Sequence, residues 1–189
     1  MTKHSLIGLE EQLQLRIDKA FRDQLDSVIV EMQKIALKFN VQQVQEKSPF
    51  KNVLSVSTEA MSSLEAIKGF IRYQVGRKES SRVWKLQITE EGHRQFFADA
   101  VVQQIDALNE NCKKIFETIE TDLEREIELR KDSSKGNNPQ EIRDYLQQQK
   151  PSLLKKTHLN LTQLYLGYLS REHTALLGLQ AANQDKSKK

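Results

Sequence analysis

From Ser5 to Glu46 the chain runs without a proline, and after Gly8 without a glycine. Along this uninterrupted stretch Phe21, Leu25, Val28, Met32, Ile35 and Phe39 alternate steps of four and three. Only a helix brings such a heptad-like stripe onto one face. Leu6, Leu9, Leu13 and Ile17 extend the stripe towards the N-terminus. A helix of about 40 residues would span about 60 Å at about 1.5 Å per residue. That exceeds most globular helices, so this one must be a bundle strut or a coiled-coil arm.

Ser48-Pro49 breaks the pattern, because the residue before a proline avoids the α region. Residues 48 to 56 read as a connector. Ser57 or Thr58, with Glu59 behind, suits the cap of a second helix striped by Met61, Leu64, Ile67, Ile71 and Val75. Gly76 marks a weak point near its end. SSRVWKLQI, up to Ile88, reads as a short strand or a loop. Thr89 with Glu90 and Glu91 fits the start of a third helix, striped from Phe97 through Val101, Ile105, Leu108, Cys112, Ile115, Ile119 and Leu123 to Ile127. KDSSKGNNP ends it. Asn138-Pro139 with Glu141 then signals a cap, a first-position proline and a first-turn acid. A short helix to Gln149 follows, and a last one from Pro151 carries Leu154, Leu161, Leu164, Tyr165, Tyr168, Leu169 and Leu176.

The composition agrees. Seven glycines and three prolines in 189 residues leave little for the tight turns of a β-rich fold. The mixture of 38% hydrophobic and 29% charged residues suits long helices that bury one stripe and wet the rest. The expected fold is all-α: an elongated antiparallel helical bundle with two long helices, one domain over residues 1–180, and a disordered polar tail at 181–189.

No run of about 18 apolar residues offers a membrane-spanning helix, and the N-terminus lacks the apolar core of a signal peptide. The single cysteine, Cys112, can form neither an internal disulfide nor a thiolate cluster. A cytoplasmic, soluble protein is expected. His4, His93, His158 and His173 lie far apart in sequence, and no phosphate loop, nucleophile elbow or metalloprotease motif occurs. Glu90 and His93 have the Glu-x-x-His spacing of di-iron bundles, which need two such pairs; one pair beside a glycine reads as a solvated first turn. Cys112 falls in an apolar stripe and reads as core. The acidic run from Glu117 to Glu128 is interleaved with Arg125, as on a salt-bridged face. No enzyme, metal or cofactor is expected.

The stretch AIKGFIRYQVGRKESSRVWK, residues 66–85, is different. It holds Lys68, Arg72, Arg77, Lys78, Arg82 and Lys85 against one acid, Glu79. The whole chain is nearly balanced, with 29 basic and 26 acidic side chains and a net charge of +3, so the excess is local. Cations so close repel one another, and a nucleic-acid backbone would relieve the repulsion by releasing its counterions. Tyr73 and Trp84 could add stacking on unpaired bases. Equally, Trp84 can be core, with the cations neutralised by acids of the third helix.

IKGFIRYQVGRK resembles the basic helix of the small helical subunit of type III CRISPR effector complexes. Arg72, Tyr73, Gly76 and Arg77 fit its pattern of basic, aromatic and small residues. LYLGYLSREH, with Gly167 and Tyr168, loosely resembles an aromatic-rich helix near that family's C-terminus. The likeness covers about twenty residues. It implies a subunit without catalytic residues that holds guide and target RNA by their backbones alongside other protein subunits.

The expected function is therefore that of a non-catalytic helical subunit of a nucleoprotein complex. It would contact RNA or single-stranded DNA through Lys68, Arg72, Tyr73, Arg77, Lys78, Arg82, Trp84 and Lys85. The alternative is a coiled-coil scaffold or adaptor that forms a homo-oligomer or docks a protein partner through the heptad stripe. Neither involves a membrane.

Overall fold

The computed structural model describes residues 3–59, 63–90, 92–129 and 138–186. Among these the protein forms five α-helices and one β-hairpin. Helix α1 spans Lys3–Lys38, α2 Lys51–Thr58, α3 Leu64–Gly76, α4 Phe97–Leu129 and α5 Pro139–Lys186. Strands β1 (Gln87–Glu90) and β2 (His93–Phe96) pair antiparallel between α3 and α4. The fold class is all-α, as the stripes predict. No helix among the described residues is long and apolar enough to cross a membrane.

The chain divides into two compact units. One comprises residues 1–26 and 109–158. Its core is built from the predicted stripes, with Leu9, Leu13 and Ile17 of α1, Ile115, Ile119 and Leu123 of α4, and Ile142 and Leu146 of α5 all buried. Polar pairs fix the order of the helices. Arg16 of α1 grips Glu126 of α4 with two bonds of 2.8 Å, and Asn111 of α4 donates to Gln24 of α1, so these helices run antiparallel. The acidic run has partners here: Lys150 and Arg143 of α5 reach Glu120 and Glu124 of α4 at 2.6 and 3.1 Å.

The other unit comprises residues 27–108 and 159–189. Its centre is an aromatic cluster around Phe50, whose ring lies 5.3 Å from Trp84, 6.3 Å from Phe97 and 5.7 Å from His173. Edge-on and tilted contacts at these distances are the preferred aromatic geometry. The buried His173 bonds through Nε2 to the carbonyl of Val44 at 2.8 Å. Val28, Met32 and Phe39 close the core from α1. Of the six residues of the heptad stripe, Val28, Met32 and Phe39 are buried within the chain, and Phe21, Leu25 and Ile35 are half-buried.

Several element boundaries differ from expectation. Residues 51–56, expected within a connector over 48–56, lie in α2, because Phe50 and Val53 give even this short segment a face to bury. Ser57 and Thr58 do not cap a helix; their hydroxyls bond back to the carbonyl of Leu54 in the last turn of α2. Ser63 caps α3 instead, accepting from the amide of Ala66 at 3.2 Å. Met61 lies outside the described residues. The third long helix starts at Phe97 rather than Thr89, since Gly92 takes a left-handed φ of +81° that turns the chain back into β2. Asn138 caps α5 as expected, accepting from the amide of Gln140 at 3.0 Å. That helix then continues through Pro151 in one piece. Pro151 is exposed, so the carbonyl it leaves without a donor one turn earlier can be met by water. The helix also continues through residues 181–186.

Candidate nucleic-acid interface

Helix α3 is amphipathic. Ile67, Lys68, Ile71 and Gln74 are buried, while Glu65, Ala66, Gly69, Arg72, Tyr73 and Gly76 are exposed. Its C-terminal carbonyls are covered locally. The Ser80 hydroxyl donates to those of Gln74 and Arg77, and Lys85 Nζ donates to that of Arg77 at 2.7 Å. A cation there also meets the negative end of the helix dipole.

This geometry divides the eight candidate residues. Trp84 is 1% exposed and packs on Phe50 and Phe97, so its ring is core and cannot stack on a base. Lys68 is buried between Glu65 and Asp106, at 2.5 and 2.7 Å. Its pKa is raised first by the hydrogen bond to Asp106 and then by that to Glu65. It stays charged, but its charge is spent inside the fold. Lys85 is half-buried and holds the end of α3. Arg82 is tied to Glu46 through both its backbone amide and its side chain, at 3.2 and 3.3 Å. Burial works to raise the pKa of Glu46, yet hydrogen bonds from Ser81 and Arg82 outweigh it and hold the carboxyl low. Lys68, Trp84 and Lys85 therefore leave the candidate interface, and Arg82 reaches it only with its acid alongside.

Arg72, Tyr73, Arg77 and Lys78 remain. Arg72 and Lys78 are exposed, Arg77 is half-buried, and none of the three side chains has an acid partner among the described residues. Tyr73 is 57% exposed, its ring tilted against Phe70 at 6.1 Å. All four lie within the last turn and a half of α3 and the residues just after it.

The hairpin adds a cation that the sequence reading missed. Arg94 on β2 is exposed, with no acid partner among the described residues, and His93 beside it is also exposed. With Glu90, Gln95 and Gln103 they line a polar groove. Glu90 is itself held by Lys38 at 2.8 Å. The available signal was Gly92, a turn residue in place of a helical one.

Gly69 sits inside α3 on its exposed face. A Cβ there would meet nothing within 4 Å, and no positive φ requires glycine. Glycine inside a helix costs about 1 kcal/mol relative to alanine, and nothing in the fold explains that cost.

Little here offers covalent chemistry. Cys112 is fully buried, and burial pushes its thiol up to about 12. Among the described residues no group of three or more His, Cys, Asp or Glu side chains is placed to hold a metal ion. No family model matches the chain, and neither a curated protein nor a solved structure shows significant similarity to it.

Proposed function

We propose that this protein binds nucleic acid without catalysing a reaction on it, holding the phosphate backbone through Arg72, Arg77, Lys78 and Arg94. The observation that carries this reading is the grouping of Arg72, Arg77 and Lys78 at the outer end of α3, which like Arg94 have no acid partner among the described residues, while Lys38, Lys68 and Arg82 nearby are each paired. A fold that pairs Lys38, Lys68 and Arg82 has acids at hand, and it leaves these four for an external anion. The resemblance to the small subunit of type III CRISPR effectors covers Arg72 and Arg77 of these four and would have them meet an RNA backbone beside other subunits.

The test is binding of a labelled oligonucleotide to the full chain and to the double charge reversal Arg72→Glu with Lys78→Glu. Both side chains are exposed, so the variant should fold. Affinity should drop about tenfold or more for every sequence tried, since phosphate contacts position without specifying. Unchanged affinity would remove the proposal.

A further inference from the structure

Resting on that nucleic-acid reading, we infer that the ligand is duplex DNA, with the exposed face of α3 laid into the major groove and the β1–β2 hairpin on the flanking backbone. The element order carries the inference. Helices α2 and α3 pack against each other, and only three residues separate the C-cap of α2, Glu59, from the N-cap of α3, Ser63. Two packed helices with so few residues between them have the element order of a helix-turn-helix, whose second helix is the one that enters a major groove. Here the second helix is α3, which bears Arg72 and Tyr73 on its outer face and Arg77 and Lys78 at its end. The hairpin follows with its own free cation, Arg94.

The exposed side chains select duplex DNA over the alternatives. Single-strand binders stack successive bases on aromatic rings. Within residues 66–85 Trp84 is buried, and Tyr73 is the one aromatic classed as exposed. Duplex RNA has a major groove too deep and narrow for side chains to read, whereas that of B-DNA admits an α-helix. The outer face of α3 also suits close approach. Ala66 raises only a methyl group on this face and Gly69 and Gly76 none, and a Cβ at either glycine would meet nothing of the fold within 4 Å. Arg72 is then free to reach base edges, where a bidentate contact to guanine is the commonest for arginine. Arg77, Lys78 and Arg94 are left for phosphates.

Fluorescence anisotropy decides the matter, with the full chain titrated into three labelled probes of one sequence and about two helical turns in length: duplex DNA, single-stranded DNA and duplex RNA. Duplex DNA should bind at least about tenfold more tightly than either other probe. Gly69→Gln, which places a side chain between α3 and the groove floor, should weaken duplex binding about tenfold and leave the unfolding midpoint unchanged or higher. Should that variant unfold, Ala66→Gln on the same exposed face serves with the same expectation. Equal or tighter binding of single strands or duplex RNA overturns the inference and leaves the general nucleic-acid reading standing. Binding of all three probes with Gly69→Gln indistinguishable from wild type also overturns it. No binding of any probe at low salt overturns both.

Discussion

Lys68 Nζ lies 2.7 Å from Asp106 Oδ1, tying α3 to α4. One turn on, Arg72 has no acid partner among the described residues. The two cations are an i, i+4 pair, yet one is a structural strut and the other faces outward.

Lys68→Met should leave nucleic-acid affinity unchanged, because the buried ammonium is already committed to Glu65 and Asp106. It should also alter the pH dependence of stability. The folded pKa of Lys68 is raised, so its contribution is complete below the unfolded lysine value of about 10.4. The contribution is lost as pH rises through the higher folded value. Chemical denaturation from pH 8 upwards should show wild type losing stability above about pH 10 more steeply than Lys68→Met. Parallel curves would mean that the pair contributes nothing.

Trp84→Ala should destabilise the protein by about 3–5 kcal/mol, the usual cost of removing a buried aromatic side chain. The indole lies against both Phe50 and Phe97. At a temperature where the variant remains folded, its preference between single-stranded and duplex probes should match that of wild type. A selective loss of single-strand binding would instead place the ring on the nucleic acid.

Leu108→Ala should cost about 2–5 kcal/mol, since its side chain is fully buried. A urea titration with an unchanged midpoint would show that the phase assigned to α4 is wrong.

Gly69→Ala should stabilise the fold by about 0.5–1 kcal/mol. The new methyl group meets nothing within 4 Å. A lower melting temperature would mean that the glycine serves the fold itself.

Periodicity exposed α1 and α4 because their stripes persist for many turns: Leu9 to Phe39 in α1, Phe97 to Leu123 in α4. Asn138-Pro139 was equally legible, being a cap signal that depends on neighbouring residues alone. Short elements were harder to read. Helix α2 has eight residues behind a proline, and each strand of the hairpin has four, too few for a period to establish itself. At the interface the error had an angular cause. Ile67 and Ile71 mark the buried face of α3, and Lys68 falls about 60° from Ile71 around the helix while Arg72 falls about 100° away. The edge of the buried face passes between the two cations. Only the position of Asp106 on α4 decides that Lys68 is inside it, and that placement is a tertiary fact. Trp84 was ambiguous for the same reason, since its partners Phe50 and Phe97 lie 34 residues before and 13 residues after it.

The most direct test of the central claim is the salt dependence of duplex-DNA binding by wild type and by Arg72→Glu with Lys78→Glu. With roughly three or four phosphates neutralised by Arg72, Arg77, Lys78 and Arg94, log K against log salt should fall with a slope of about −3 to −4. The double reversal should flatten that slope by about 2 and weaken binding at every salt concentration. A wild-type slope near zero, or a slope and affinity unaltered by the reversal, would contradict the account and leave the exposed cations as a solvated face.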